Sequence, residues 1–596
     1  MALSRNALAV LRRRYLRPGE TPDDLFRRVA ATIRAAEARL PDPPADADAF
    51  ADRLRARMAA GELLPNSPAL MNAGRPDGQL AACFVVPVED DTAAIFDAIK
   101  WAAMIQRTGG GTGFSFSRLR PAGDPVGDGG VAAGPVAFME AFDRATAAIA
   151  QGGVRRGANM GVLRVDHPDI LDFVTVKLDP DRMRNFNLSV AATDAFMAAV
   201  DRGERYALRN PRTGAVVREL DARRVFQLIA DVAWQCGDPG MLFIDRIEAA
   251  NPTPALGRIE ATNPCGEQPL LPFEACVLGS VNLSAFVRDG SVDEAALAAA
   301  VRDGVRMLDD LIDASAFPLP QIEAITRANR KIGLGVMGWA DLLIALGIPY
   351  DDDEALALAD RVGALVERES LAMSERLAEA RGPFSNWPQS TWAGTRRLRN
   401  ATTTTVAPTG TISILAGCSS GIEPLYAVAY ERHVLDGEVL DEMHPAFERI
   451  ARARGFWSDA LRDAVRARGR VRGLDGVPAD VQRLFATAHD VAPERHVQMQ
   501  AVFQRYSHSG VSKTVNLPRD APPEAVARAY RLAYELGCKG ITVYRDGSRA
   551  GQVLAYGRGG ATGGEGDAER CPECGGAVRR AGGCVACRQC GWSACA

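Results

Sequence analysis

The strongest periodicity in the chain lies between residues 293 and 313, where Leu297, Val301, Val305, Leu308 and Ile312 recur three or four residues apart. Apolar side chains at that spacing form one stripe of a helix, and such a stripe is built to be buried. A second helical stretch is predicted over residues 20–60. Thr21-Pro22-Asp23-Asp24 caps it, and Leu25, Val29 and Ile33 keep the helical spacing. Its Arg- and Ala-rich composition reads as a packing layer. A further helix is expected from Ala93 to Arg107 and a strand from Phe114 to Leu119. The glycines between them, from Gly109 to Gly113, are read as a turn rather than as a place where backbone approaches a ligand. Cys83 opens a short apolar strand that ends at Glu89-Asp90-Asp91.

Two later stretches offer competing patterns. Gly333-Leu-Gly335-Val-Met-Gly338 spells a dinucleotide-binding fingerprint, with Asp353 twenty residues past the first glycine. The fingerprint must follow a buried strand, whereas Thr326 to Lys331 is polar. Ile332 to Met337 is therefore read as a tightly packed strand. From Thr402 a β-branched strand runs into Pro408-Thr409-Gly410-Thr411 and then into an apolar run suited to a helix. Such a turn aims backbone N–H groups at an incoming anion, although the same residues would also serve as a helix start.

Composition narrows the class. The chain has 596 residues, 47% hydrophobic and 24% charged, as expected of a globular protein with one large catalytic domain and appendages. Its 70 Lys and Arg against 74 Asp and Glu leave a net charge of −4, which gives no reason to expect a polyanionic partner. Arg5 and Arg12 to Arg14 interrupt any apolar leader, and no apolar run reaches about 18 residues. A cytoplasmic protein without a membrane segment is expected. In that compartment the 12 cysteines are catalytic or metal-bound rather than structural disulfides.

Six of those cysteines lie in the tail. Residues 551–570 form a Gly-rich linker, which spans roughly 25 Å on average. Cys571-x-x-Cys574-Gly and Cys587-x-x-Cys590-Gly follow, with Cys584 and Cys595 beside them. Paired C-x-x-C-G units are a zinc-ribbon signature, and so short a segment needs such a staple. Cys571, Cys574, Cys587 and Cys590 are the preferred ligands, leaving Cys584 and Cys595. A second partition puts Cys584 and Cys587 on the metal and leaves Cys590 and Cys595 as the dithiol. Either way two thiols remain for exchange chemistry. A nucleic-acid ribbon is the other use of such a module, but only Arg579, Arg580 and Arg588 are basic and only Trp592 is aromatic there.

The chain is organised around Thr262 to Ser284. Pro264, Gly266 and Pro269 exclude a helix there. In an extended or looped backbone Asn263, Cys265 and Glu267 fall on one side and converge on one volume. They supply an amide, a thiol and a carboxyl group able to move a proton. Cys276 follows eleven residues after Cys265.

The strings N-P-C-G-E-Q-P-L-L and C-V-L-G-S-V-N-L resemble the finger loop of ribonucleotide reductases, in particular the adenosylcobalamin-dependent class II branch. The likeness runs from about Leu64 to Arg549, with the tail matched separately. It implies a ten-stranded α/β barrel of the type shared with glycyl radical enzymes. Two antiparallel-related halves would surround the finger. An N-terminal helical segment (1–63), the barrel (64–550), the linker (551–570) and the zinc-ribbon tail (571–596) would then make up the chain. No room is left before the core for the ATP cone that regulates many relatives.

The resemblance also assigns roles. Cys265 becomes a thiyl radical that takes the 3′ hydrogen of a ribonucleoside diphosphate, Glu267 is the general base on the 3′ hydroxyl, and Asn263 hydrogen-bonds the ribose. Cys83 and Cys276 are the reducing pair, oxidised to a disulfide in each turnover. Ser67, Ala82, Gly111, Thr409, Gly410 and Thr411 contact substrate. Asp90, Arg155, Arg156 and Arg184 meet a deoxynucleoside triphosphate effector at the interface of a homodimer. The tail thiols pass electrons in from a thioredoxin- or glutaredoxin-like reductant. No D-x-H-x-x-G segment is present, and Val165-Asp-His167-Pro-Asp-Ile resembles one only superficially, so no axial histidine is expected for cobalt. Tyr544 stands alone where the di-iron-dependent large subunits carry two adjacent tyrosines, and no glycyl-radical segment is found. Two rival readings stay open: a di-iron-type large subunit with a radical partner protein, and a nicotinamide dehydrogenase built on Gly333 to Gly338.

Overall fold

The computed structural model describes residues 3–127, 129–150, 157–433 and 439–548, together with short strand segments at 554–555, 578–581, 584–587 and 593–595. Three helices come first: α1 (Arg5–Arg14), α2 (Pro22–Glu37) and α3 (Ala47–Ala60). Thr21 and Asp24 close a reciprocal capping box on α2, and Leu25, Val29 and Ile33 are buried as their spacing requires. The stretch 20–60 is two helices rather than one. Pro41, Pro43 and Pro44 lack the N–H that a continuous helix needs.

Ten strands share one sheet. They are β1 (Leu63–Pro65), β2 (Cys83–Val85), β3 (Gly111–Ser115), β4 (Asn159–Arg164), β5 (Phe186–Ala192), β6 (Gly240–Phe243), β7 (Ala275–Asn282), β8 (Ile332–Met337), β9 (Thr514–Leu517) and β10 (Gly540–Arg545). Strands β2 to β6 run parallel in chain order. At one end β6 meets β10 antiparallel, and β10 pairs parallel with β9. At the other end β2 meets β7 antiparallel, and β7 pairs parallel with β8.

Two parallel bridges, Leu334 to Thr404 and Val406 to Val511, insert the segment 404–406 between β8 and the approach to β9. The ring closes there as two sets of five parallel strands, one antiparallel to the other, with β1 as an added edge on β7. Every residue of β7 and β8 is buried, as expected of parallel strands covered on both faces. β8 has the bounds read from sequence.

Outside the ring, α4 (Ser67–Asn72), α5 (Thr92–Arg107) and α6 (Pro135–Ala150) pack along the chain's first half. The long helix α7 (Glu294–Ala314) buries its predicted stripe. It joins α2 to the barrel through buried charge. Arg306 reaches Glu37 at 2.7 Å and Asp46 at 2.8 Å, and Arg381 binds Glu37, Asp310 and Asp309. Arg330 adds 2.8 Å contacts to Asp309 and Asp313.

In the tail, Val578–Ala581, Cys584–Cys587 and Ser593–Cys595 form a small antiparallel sheet in whose register Cys584 stands opposite Cys595. Cys571, Cys574 and Cys590 lie outside the described residues, as do Arg155 and Arg156. Among the described residues no metal-binding cluster occurs, and no helix is long and apolar enough to cross a membrane.

Candidate active site

The finger is a hairpin pushed into the ring. Ala261 and Thr262 pair antiparallel with Leu270 and Pro269, and residues 263–268 close the tip. Gly266 takes φ +82° there, and its N–H donates to Asn263 O at 3.1 Å. The tip is therefore a turn rather than an extended run. Gln268 N–H donates to Asn263 Oδ1 at 2.9 Å, which fixes the amide.

Glycines make the passage. A Cβ on Gly113 would sit 1.7 Å from Thr262 O, one on Gly510 2.7 Å from Gly266 O, and one on Gly333 2.6 Å from Gln268 Nε2. Gly111 faces Pro264 in the same way, at 3.0 Å. These contacts come from both halves of the ring, so the finger lies inside it. The Gly109–Gly113 run is thus more than the turn expected of it. β3 begins at Gly111, three residues before the predicted start, because side chains there would exclude the finger. The Gly333–Gly338 glycines likewise serve packing, and a Cβ on Gly335 would lie 2.5 Å from Thr405 O. The dinucleotide reading is set aside on that ground.

The finger brings four of the five predicted catalytic residues into one buried volume. Asn263 and Glu267 are 3% and 2% exposed. Asn263 Nδ2 donates to Cys83 Sγ at 3.1 Å. Cys83 and Cys276 are direct cross-strand partners on β2 and β7. Opposed residues of an antiparallel pair have Cα atoms about 4.5–5.5 Å apart, which is within disulfide range. No disulfide joins them here. Burial pushes the Cys276 thiol pKa well up; Lys331 pulls against it, while Glu274 and Glu267 add to it. Cys265 differs, being exposed at the tip. Beside it nothing lies within 4 Å of where a Gly266 Cβ would be, so this face of the finger is open.

Of the predicted substrate residues, Gly111 lies against the finger at Pro264. Ala82 links the two sides, its N–H donating to Cys276 O at 3.1 Å and its carbonyl accepting from Gly111 N–H at 2.9 Å. Ser67 opens α4, which Asn66 caps by accepting from Ala69 N–H. Thr409 takes φ +55° and its hydroxyl accepts from Gly421 N–H at 2.8 Å. Thr411 precedes a helix of one turn and a half, Ile412–Ala416. The effector candidates are not joined by any hydrogen bond among the described residues. Asp90 pairs with Arg120 at 2.8 Å, and Arg184 is bound to Asp181 on the surface.

Comparison with known proteins decides the family. The ribonucleotide reductase barrel domain matches residues 81–398 and 393–544, and the ribonucleotide reductase all-alpha domain matches residues 1–78. The chain belongs to the ribonucleotide reductase family. It is 49% identical over 564 residues to the vitamin B12-dependent ribonucleoside-diphosphate reductase of Mycobacterium tuberculosis, covering 93% of this chain and 80% of that one. The protein of the same name from Thermoplasma acidophilum is 51% identical over 512 residues, 85% of this chain and 66% of that one. Among solved structures, the Actinobacillus ureae class Id ribonucleotide reductase alpha subunit superposes with a TM-score of 0.76 at 22% identity. That match covers 91% of this chain and 97% of that one, and it supports the fold.

In this reductase, three arrangements were not legible in the sequence. Lys331 and Glu274 form a buried ion pair at 2.6 Å, and Lys331 O lies 3.4 Å from Cys276 Sγ. His167 is committed at both ring nitrogens, Nε2–H to Leu119 O at 2.8 Å and Nδ1 to the Asp169 N–H at 3.0 Å. The third feature is the end of α1. Arg14 and Tyr15 reach Thr411 and Ser67, and the Arg12-Arg13-Arg14 run was the only local sign of it.

Proposed function

We propose that this chain reduces ribonucleoside diphosphates to 2′-deoxyribonucleoside diphosphates through a thiyl radical on Cys265. The observation that carries the reading is the opposed Cys83 and Cys276 pair, with Asn263 hydrogen-bonded to Cys83 beneath an exposed Cys265. The open face at Cys265 and Gly266 would admit adenosylcobalamin, which would supply the homolytic chemistry that generates this radical. Cys265 then takes the 3′ hydrogen atom of the ribose. Glu267 accepts the 3′-hydroxyl proton, and Asn263 holds the reacting sugar. Cys83 and Cys276 provide two electrons and two protons, the 2′ hydroxyl leaves as water, and a Cys83–Cys276 disulfide forms. Cys265 finally returns its hydrogen atom to the 3′ carbon as Glu267 gives its proton back to the 3′ oxygen.

Substrate is held by Ser67, Ala82, Gly111, Thr409, Gly410 and Thr411. A deoxynucleoside triphosphate acts as effector at Asp90, Arg155, Arg156 and Arg184 in a homodimer, and exposed Phe96 and Met104 on one face of α5 support such an interface. Zinc on Cys571, Cys574, Cys587 and Cys590 staples the tail. The cross-strand register of Cys584 and Cys595 favours this partition over the one that frees Cys590. Those two thiols exchange with the buried disulfide, and a thioredoxin- or glutaredoxin-like protein regenerates them in the cytoplasm.

The test is anaerobic turnover of a ribonucleoside diphosphate by the purified chain with adenosylcobalamin, a deoxynucleoside triphosphate and dithiothreitol. Deoxynucleotide is expected from wild type and none from Cys265→Ser. Product formation by Cys265→Ser, or a requirement for a second protein, overturns the reading.

A further inference from the structure

The end of α1 lies at the mouth of the substrate site, where two consecutive residues touch different parts of it. Arg14 Nη1 donates to Thr411 Oγ1 at 3.2 Å, across 397 positions of sequence. The Tyr15 hydroxyl lies 2.8 Å from Ser67 Oγ, and its ring is buried. This end is bolted down. Arg17 and Arg28 both donate at 2.8 Å to Ala73 O, at the far end of the helix that Ser67 begins.

Arg14 differs from Arg27, Arg28 and Arg57 of the same layer, which are held by carboxylates. Arg28 pairs with Glu20, Arg27 with Asp23 and Asp24, and Arg57 with Glu62 and Asp303. Arg14 has no carboxylate partner among the described residues, and the hydrogen bond it makes is to a neutral hydroxyl. Next to that hydroxyl, no atom outside residues 409–411 lies within 4 Å of where a Gly410 Cβ would sit. A guanidinium without a counter-ion, set beside hydroxyls and open space, matches a phosphate group in charge and in its forked donor geometry.

We propose that Arg14 is a substrate-binding residue that holds the terminal phosphate of the ribonucleoside diphosphate, and that Tyr15 positions it through Ser67. The inference rests on reading Thr409 to Thr411 as the phosphate loop. It gives the N-terminal helical layer a part in substrate selection as well as packing.

Equilibrium binding of cytidine diphosphate and cytidine monophosphate to the full chain, with a deoxynucleoside triphosphate present, tests it without turnover. Arg14→Met should weaken diphosphate binding at least tenfold and monophosphate binding less than twofold. Arg14→Lys should recover part of the loss, and Arg12→Met, an exposed neighbour, should change neither affinity. In turnover, Arg14→Met should raise KM by the same factor with kcat within about threefold. Equal losses for both nucleotides, or no loss for either, overturn the proposal. A wild-type chain that binds neither nucleotide overturns the reductase reading itself, and this inference with it.

Discussion

The seam between the N-terminal helices and the barrel buries charges, whereas the barrel interior buries mainly neutral donors, acceptors and thiols. At the seam Glu37, Arg306, Arg330, Arg381, Asp309 and Asp310 sit within a few ångströms of one another. Burial alone would raise the Asp309 pKa; Arg330, Arg399 and Arg381 outweigh it and hold the carboxylate ionised. Around the finger the polar groups are Asn263, Gln268, Thr405 and the thiols Cys83 and Cys276, with Glu267 and the mutually paired Glu274 and Lys331 the charged groups near them. A buried charge is tolerable only when fully paired, while a buried thiol stays protonated at little cost. The seam is therefore suited to hold one arrangement. The chamber keeps groups whose redox or protonation state can change without dismantling the fold.

Cutting the seam should give the largest effect. Arg381→Met removes the cation shared by Glu37, Asp309 and Asp310 and leaves carboxylates buried without it. Breaking one partner of a buried ionic cluster costs about 3–5 kcal/mol. Urea unfolding should show that loss, while deoxynucleotide formation per folded molecule stays within about twofold of wild type. A stability change below about 1 kcal/mol would mean that the seam does not frame the fold.

Crowding the chamber should reverse the pattern. Gly113→Ala sets a methyl group against the Thr262 carbonyl, so the finger must shift by an ångström or more. Misplacement on that scale costs about a hundredfold in rate, about 2.7 kcal/mol of barrier. Overpacking should lower stability by about 1–3 kcal/mol as well. The decisive measurement is turnover of the folded variant; a rate near wild type would show that the finger's depth does not set Cys265.

The contrast also marks what could be read from sequence. The finger was legible because its evidence is local: Pro264 and Gly266 bend the chain, and Asn263, Cys265 and Glu267 lie within five residues. The α7 stripe and the β8 bounds were legible for the same reason. The passage for the finger was not. Gly111 and Gly113 are needed only because a hairpin about 150 residues later runs between the strands. The β-branched run from Thr402 was legible as a strand, and 404–406 is the ring's remaining strand; what it pairs with, Leu334 and Val511, was not legible. The reach of Arg14 to Thr411 is likewise a product of closure and left no trace beyond a short basic run.

The smallest effect should come from a buried neutral group outside the chamber, and it reports whether the rule extends there. His167 donates from Nε2 to Leu119 O and accepts at Nδ1 from the Asp169 N–H, so a second proton would have to displace a backbone hydrogen bond. Burial lowers its pKa below 6.5, and Asp169 and Asp166 only partly oppose this. The unfolded chain thus takes up a proton near pH 6.5 that the folded chain refuses. Stability should fall as pH drops below 6.5, by about 1 kcal/mol over the first unit. Asp169 works in the other direction, because burial raises its pKa and protonation then favours the fold. Its contribution grows below that raised value, toward 3.8, so the net slope should flatten again at lower pH. Urea midpoints measured at half-unit steps from pH 7 to pH 4.5 should show this bend, and His167→Gln should remove the upper part of it. An identical profile in the variant would place the acid sensitivity elsewhere, with His489 and His496, whose pKa values burial also lowers, the next residues to replace.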